Sequence, residues 1–251
     1  FDSDENKSST HFFSKSFFDI DLTDTFDAML SLKVQHTSDD DYLKTYKLKS
    51  PLIKSDNILN SNINLNMYNN DLQIEFIAEV YENLDLIDSD RFEYIYPSIN
   101  ILKKFDGFEY GNLDLSSSIL NKEYETNIKE STIINDLSFK SYNEISSIGL
   151  LSSYELLIKN FNSKSNNSSK YSNKNSSSMA TIANYEIKYP LKKNTPYYSS
   201  TLTPLISVRY SPNDTKNITR NDRIINFDNI FSINRLGRAD TVEGGQSITI
   251  G

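Results

Sequence analysis

A strict two-residue alternation of apolar and polar side chains is the feature that most constrains how this chain folds. The alternation covers FDAMLSLKVQ at 26–35, NINLNMYN at 62–69 and DLQIEFIAEV at 71–80, whereas no run of similar length has helical spacing. Successive side chains of a β-strand point to opposite faces of the sheet. Each run therefore predicts a strand with one apolar and one polar face.

Further alternating runs extend over most of the chain, separated by turn-forming or polar stretches. YNND at 68–71 suits a tight hairpin and SPNDTKN at 211–217 a loop, while 36–57 and 163–178 are expected to be long connections, the second of them mobile. The sequence thus predicts an all-β antiparallel meander of roughly eleven strands, in one domain over residues 1–251 without a second domain. The other strands are expected at 12–22, 92–104, 111–124, 132–143, 147–160, 179–192, 197–211 and 246–251.

Two architectures fit such a meander. A soluble sandwich or barrel would bury the apolar face, whereas a transmembrane barrel would turn it towards lipid and enclose the polar face. Soluble strands average about five to six residues, while a tilted strand crosses a bilayer in about 9–11. Several runs have the longer length, Glu75 and Glu79 suit a wet lumen, and Tyr94 and Tyr96 suit a membrane interface. The pattern favours the transmembrane barrel and leaves the soluble one open.

The sequence offers no support for an enzyme or for a bound cofactor. His11 and His36 lie in no metal-ligand spacing, and no phosphate-binding glycine loop precedes a helix. The acidic run Asp39, Asp40 and Asp41 lacks the spaced oxygens and turn glycine of a calcium loop, so a solvated loop is expected there. The formal net charge of -8 argues against a nucleic-acid partner.

Glycine is concentrated in NRLGRADTVEGG at 234–245. This stretch holds three of the seven glycines of the chain, together with Arg235, Arg238, Asp240 and Glu243. Glycine permits positive φ and close backbone approach, which suits a bend where a strand re-enters a sheet. We expect an ordered fold-back, held by salt bridges, with at least one of these glycines at positive φ. An ordinary glycine turn is the alternative.

The same stretch carries a family resemblance when its surroundings are included. FDNIFSINRLGRADTVEGGQSITIG at 227–251 resembles a phrase of the LptD family, the lipopolysaccharide-assembly proteins of the outer membrane. That phrase is of the type N-L-F-x-x-N-R-x-x-G-x-D-R-x-E-G-G and ends in a strand and a glycine. The matching positions, all but the last taken as the structural family motif, are Asn229, Phe231, Asn234, Arg235, Gly237, Asp240, Glu243, Gly244, Gly245 and Gly251.

The sequence also departs from this phrase, and two more stretches match the family. Ile230 stands in place of leucine, Thr241 stands in place of arginine, and the spacer at 238–239 is altered. TSDDDYLKTYKL at 37–48 resembles the family's S-D-D-x-Y-L-x-D-Y phrase, and YEIKYPL at 185–191 its W-R-Y-P-F strand end. The three matches follow the family's order along the chain.

The resemblance implies the early and middle strands of a very large antiparallel barrel in the Gram-negative outer membrane. In this family a periplasmic jelly-roll domain, which is not in this chain, precedes the barrel and receives lipopolysaccharide from a periplasmic transport bridge. An LptE-type lipoprotein plugs the lumen. Sugars pass through the lumen and a lateral opening while acyl chains enter the membrane, so the implied protein is a translocon and not an enzyme.

The start of the chain and two other functions complete the expectations. The chain begins at Phe1 without an initiator methionine, and we expect it to be a fragment of a longer precursor. A different outer-membrane channel barrel and a soluble secreted β-rich binding module are the alternatives. A carbohydrate-active β-enzyme, which would need two converging carboxylates, is more remote.

Overall fold

The computed structural model describes residues 10–23, 25–215 and 225–251. One helix, α1 (Tyr42–Tyr46), and a 3₁₀ turn (Asp88–Arg91) accompany the strands. Within these described residues, no helix is long and apolar enough to span a bilayer. The strands are β1 (His11–Thr23), β2 (Phe26–Thr37), β3 (Ile58–Tyr68), β4 (Leu72–Asn83), β5 (Phe92–Phe105), β6 (Gly111–Tyr124), β7 (Ile128–Ser141), β8 (Glu144–Ile145), β9 (Leu151–Asn166), β10 (Ser176–Lys188), β11 (Leu191–Asn194), β12 (Ser199–Leu202), β13 (Leu205–Ser211) and β14 (Gly245–Ile250).

The strands follow one another in the sheet nearly as they do along the chain. The order is β1-β2-β3-β4-β5-β6-β7-β9-β10-β13-β14, with β8 paired to β9 and with β11 and β12 forming a separate hairpin. This order confirms the prediction of an all-β antiparallel meander. By its internal contacts the chain divides into two units. Unit 1 comprises Phe1–Ile101, Ser118–Thr132 and Ser163–Asn175, and unit 2 comprises Leu102–Ser117, Ile133–Asn162 and Ser176–Gly251.

In unit 1 the strand register produces one apolar and one polar face. Leu65 of β3 lies opposite Phe76 of β4 on the first face, and Asn66 lies opposite Glu75 on the second. Ile74 shares the face of Phe76, since the two lie two positions apart in one strand. The prediction that Ile74 and Phe76 lie on the face opposite to Glu75 is therefore confirmed.

The long connection between β2 and β3 has a small core of its own. Leu43 of α1 packs with Leu59 of β3 and with Leu84, and all three side chains are buried. The helix ends at Lys47, which adopts a left-handed conformation with φ 46°. A connection that buries apolar side chains in this way is an ordered part of unit 1, although its sequence predicts only a loop.

In unit 2 the apolar face is the exposed one and the polar face is buried. Ile248 of β14 lies opposite Val208 of β13, and these side chains are 70% and 45% exposed. Arg209 lies opposite Asn184 of β10, and both are buried. Soluble monomers rarely leave contiguous apolar patches open. A sheet turned this way suits contact with lipid.

The prediction of a mobile loop at 163–178 is wrong at both ends of this range. β9 continues to Asn166 and β10 begins at Ser176. Ser163 and Ser165 alternate inward on the buried polar face of β9. A serine-rich composition suits a polar strand face as well as a loop, so composition could not separate the two.

Proline breaks two of the expected strands. The run at 179–192 divides at Pro190, and the run at 197–211 divides at Pro204. Proline has no backbone N–H to donate to a ladder and is found at edges and ends of strands. The loop expected at 211–217 is described as far as Thr215, and its last two positions lie outside the described residues.

Candidate functional site

The glycine-rich stretch lies between two paired strands of unit 2. β14 pairs antiparallel with β13, from Gly245 opposite Ser211 to Ile250 opposite Ile206. Residues 225–244, which precede β14, contain turns and bends but no strand. We call residues 225–244 the strap. It is the fold-back that the sequence predicts, and most of the family motif lies on it.

Backbone geometry explains the glycines within the strap and directly after it. Gly237 has φ 66° and Gly245 has φ 87°, which confirms the prediction of at least one positive φ. Gly244 is needed for a different reason, because a Cβ there would lie 1.9 Å from the carbonyl oxygen of Asn213. The N–H of Gly244 also donates to Thr215 Oγ1 at 2.9 Å. The strap can therefore pass this close to the chain only without a side chain at 244.

Side chains within the strap close it into a ring of contacts. Arg235 donates from two nitrogens to the two carboxylate oxygens of Glu243, at 2.8 and 2.5 Å. Asn234 Nδ2 donates to the backbone oxygen of Thr241 at 2.9 Å. A bidentate arginine–carboxylate pair adds fixed geometry to its electrostatic energy. These bonds join the two ends of the segment 234–243.

The departures from the family phrase leave this geometry intact. Asn234 binds the backbone of Thr241, so the change of side chain at that position does not remove the bond. Asp240 accepts from Arg238 at 3.2 Å through each of its two oxygens. In the family phrase an arginine directly follows the aspartate. Here Arg238, two residues before Asp240, supplies the guanidinium instead.

Two buried cations hold the strap onto the polar face of the sheet. Arg209 of β13 donates from Nε to the carbonyl of Ile233 at 2.6 Å and from Nη2 to the carbonyl of Glu243. Lys159 of β9 donates to the carbonyl of Ala239 at 2.9 Å and to Asp136 at 2.6 Å. Both cationic side chains are 4% exposed. Buried charges are tolerated only with such partners, so the strap and the cations depend on each other.

Apolar packing and a cavity complete the contact between strap and sheet. Val242 of the strap packs with Leu157 of β9 and Ile182 of β10, all buried. Beside them lies a cavity of about 240 Å³, whose lining includes Lys159 and Asp240. The strap therefore covers this part of the polar face with both polar and apolar contacts.

Asn229 and Phe231 lie near the start of the strap. The Asn229 side chain accepts from the N–H of Asn226 at 2.8 Å, and its backbone oxygen accepts from Ser232 at 2.9 Å. A Cβ at Gly251 would lie 2.6 Å from the ring of Phe231. These motif residues shape a turn and its packing.

Arg209, Lys159 and Asp136 hold the candidate site together, and the sequence reasoning missed them. Each stands among polar residues of an alternating run, where a charged side chain looks like one more lumen-facing group. The only signal is that Arg209 interrupts a run rich in apolar and hydroxyl side chains. Their partners lie 23 to 80 residues away along the chain, and no local pattern encodes such separations.

The polar face of unit 1 carries a second feature, a ladder of amides and carboxylates on β3 and β4. Along β3, Asn62 Nδ2 donates to Asn60 Oδ1 at 2.9 Å and Asn66 Nδ2 to Asn64 Oδ1 at 2.8 Å. Across the strands, Asn64 donates to Glu75 at 3.2 Å. We call the set the amide ladder; its members are Asn60, Asn62, Asn64, Asn66, Glu75 and Glu79, with Asn100 of β5 also donating to Glu75.

The acidic run and the histidines take structural partners. Arg91 donates to both oxygens of Asp40, at 2.9 and 2.6 Å, and to Glu82 at 2.7 Å. The hydrogen bonds from Arg91 hold the pKa of Asp40 below its ordinary 3.8. Among the described residues, no group of three or more potential metal ligands converges. His11 Nδ1 lies 2.7 Å from the hydroxyl of Tyr42.

Comparison with known families decides what this two-faced sheet belongs to. The family model of LptD, described as LPS transport system D, matches residues 9–251. The chain belongs to the LptD family. No curated protein matches it. The meander is accordingly part of an outer-membrane β-barrel, and its role is in lipopolysaccharide transport at that membrane.

Proposed function

We propose that the chain forms part of the LptD translocon that inserts lipopolysaccharide into the outer leaflet. It supplies early and middle strands of a single barrel domain, within residues 1–251. The polar face of each unit lines the path of the sugars, and the acyl chains leave laterally into the membrane. The observation that carries the proposal is the inverted sheet, whose apolar side is open and whose polar side is covered.

The amide ladder is suited to a sugar passenger. Carboxamides offer both donors and acceptors, and carboxylates offer acceptors, so together they match hydroxyl groups of either role. Their mutual bonds, such as the 3.2 Å contact between Asn64 and Glu75, hold the side chains in place before a sugar arrives. Such weak and repeated contacts permit a passenger to move along the face.

The strap gives the family motif a structural role in this proposal. The pairs of Arg235 with Glu243 and Arg238 with Asp240 neutralise four of its charged side chains, and Asp228 leaves it a formal charge of -1. The strap therefore narrows the polar side without adding a positive charge that would capture the anionic lipopolysaccharide. An LptE-type lipoprotein plugs the same lumen, and an upstream jelly-roll domain connects the barrel to the periplasmic bridge. The protein acts as a conduit and not as an enzyme.

The test uses a photo-crosslinking amino acid at two neighbouring positions of β3 in the full-length protein. Asn64 lies on the polar face and Leu65 on the apolar face at the same depth. We expect the probe at Asn64 to crosslink lipopolysaccharide only while transport is running, because only passing sugars reach it. The probe at Leu65 contacts resident lipid and its crosslinks should not depend on transport.

Blocking the supply of lipopolysaccharide from the periplasm provides the control. Crosslinks at Asn64 should disappear under the block and those at Leu65 should persist. If no lipopolysaccharide is captured at Asn64 in actively transporting cells, the polar face of unit 1 does not line the path and the proposal fails. Ion conductance through the purified full-length protein with its plug would instead support a channel.

A further inference from the structure

Two lysines lie directly opposite each other on the polar face of unit 1. Lys15 of β1 pairs with Lys33 of β2 in the antiparallel register. Directly opposed side chains have Cβ atoms about 4.5–5.5 Å apart, and like charges in such a pair are destabilising. Lys54, from the connection between β2 and β3, adds a third positive charge near Lys33. Three cations gather here in a chain with a net charge of -8.

The groups around the lysines do little to offset this repulsion. The amine of Lys33 donates to Asn60 Oδ1, a neutral amide, at 3.2 Å. Lys15 lies over the ring of Phe17 with its nitrogen 4.7 Å from the ring centre. Among the described residues, Glu79 acts on Lys33 with the opposite charge, whereas Lys15 and Lys54 act on it with the same charge. No ion pair joins a carboxylate to any of these three lysines within the described residues.

Charge is segregated along these two strands. The pair of Lys15 and Lys33 lies towards the long connection of residues 38–57, whereas Asp21 lies opposite Asp27 towards the other end. An anion on this face is repelled by the aspartates and attracted by the lysines. The arrangement costs energy in the free protein, and a bound anion between the lysines would remove that cost.

We propose that Lys15, Lys33 and Lys54 form a site for a phosphate group of lipopolysaccharide. The inference rests on the proposed function, because it requires the passenger to reach the polar face. A phosphate monoester carries about -1.5 to -2 charges at pH 7 and several acceptor oxygens, which suits three ammonium groups. The amide ladder next to the site binds neutral sugar hydroxyls, so the lysines and the amide ladder bind different groups of the same lipopolysaccharide molecule.

The test measures binding of purified lipopolysaccharide to the full-length protein in detergent. One variant carries Lys15→Gln, Lys33→Gln and Lys54→Gln. The matched control carries Lys170→Gln, Lys192→Gln and Lys193→Gln, which removes the same charge from exposed positions. We expect the first variant to bind about tenfold or more weakly than the control, since each lysine near an anionic lipid surface adds measurably to binding. Lipopolysaccharide stripped of phosphate should bind both variants equally.

Several results would overturn the proposal. Equal affinity of the triple lysine variant and its control for phosphorylated lipopolysaccharide would do so. Displacement of bound lipopolysaccharide by phosphatidylglycerol as effectively as by lipopolysaccharide itself would also do so, because it would assign the site to ordinary lipid headgroups. If the triple variant fails to assemble, Lys54→Gln and Lys54→Arg replace it, because Lys54 lies outside the strands. The glutamine should weaken binding and the arginine restore it. Persisting transport-dependent crosslinks at Asn64 would show that the failure concerns this site and not the proposed function.

Discussion

Replacing Arg209 by methionine should release the strap while leaving the sheet assembled. Methionine has a similar length and no donor, so the carbonyls of Ile233 and Glu243 lose their partner. Ile233 and Glu243 are half-buried, so the loss is that of two intramolecular hydrogen bonds, which contribute about 1 kcal/mol each. The total is about 2 kcal/mol, and at 1.4 kcal/mol per factor of ten this is about a thirtyfold increase in local opening.

Hydrogen exchange of the full-length protein in detergent measures this effect. The amide of Gly244, which donates to Thr215, reports directly on the strap. We expect its protection to fall about thirtyfold in Arg209→Met, with exchange in β9 and β10 little changed, because their ladders do not use the guanidinium. Arg209→Lys should recover only part of the protection, since a single ammonium does not reproduce the planar fork.

Arg91→Met is the matched control. Arg91 also makes several charge-assisted bonds, but it makes them to Asp40 and Glu82 in unit 1. This substitution should raise exchange in the connection at 38–57 and leave Gly244 protected. If Arg209→Met changes the protection of Gly244 by less than threefold, the strap is held by its apolar contacts and the role given to the buried cation is refuted.

Three further predictions concern the faces, the glycines and the loops. Phe76→Arg should impair barrel assembly far more than Glu75→Arg, because an arginine on the lipid face near the bilayer midplane costs about 2–4 kcal/mol. Heat-modifiable gel mobility measures the assembly, and equal assembly of the two variants would contradict the assignment of faces. Gly244→Ala should disrupt assembly in the same assay, because the alanine Cβ would lie 1.9 Å from a backbone oxygen. Gly237→Ala should cost only about 1–2 kcal/mol, because Gly237 has φ 66° but open space where a Cβ would lie. A larger effect of Gly237→Ala than of Gly244→Ala would be inconsistent with the strap geometry. Arg91 keeps the pKa of Asp40 in the folded protein below 3.8, so the ion pair should stabilise the 38–57 connection at pH values above the unfolded-state pKa of Asp40. This stabilisation should disappear as the pH falls through the lower pKa of the folded state. NMR titration of Asp40 should find the low pKa, and Arg91→Met should return it to the ordinary range.

The sequence could predict the class of fold because alternation is a local property. Each run of side chains with period two fixes which residues share a face, whatever the partner strand, and Ile74, Glu75 and Phe76 followed that rule. Strand ends were less predictable. The serine-rich end of β9 has the composition of a loop, and only backbone pairing with neighbouring strands makes it a strand.

The candidate site divides in the same way. The sequence by itself determined that residues 234–245 need glycine, and the positive φ at Gly237 and Gly245 is a backbone requirement that glycine meets locally. Tertiary structure decided what the strap touches. Lys159 reaches Ala239 across 80 residues, and Gly244 is small because Asn213 passes beside it. Such contacts arise from the strand order of the folded sheet, which brings distant segments together, and therefore leave no periodic trace in the sequence.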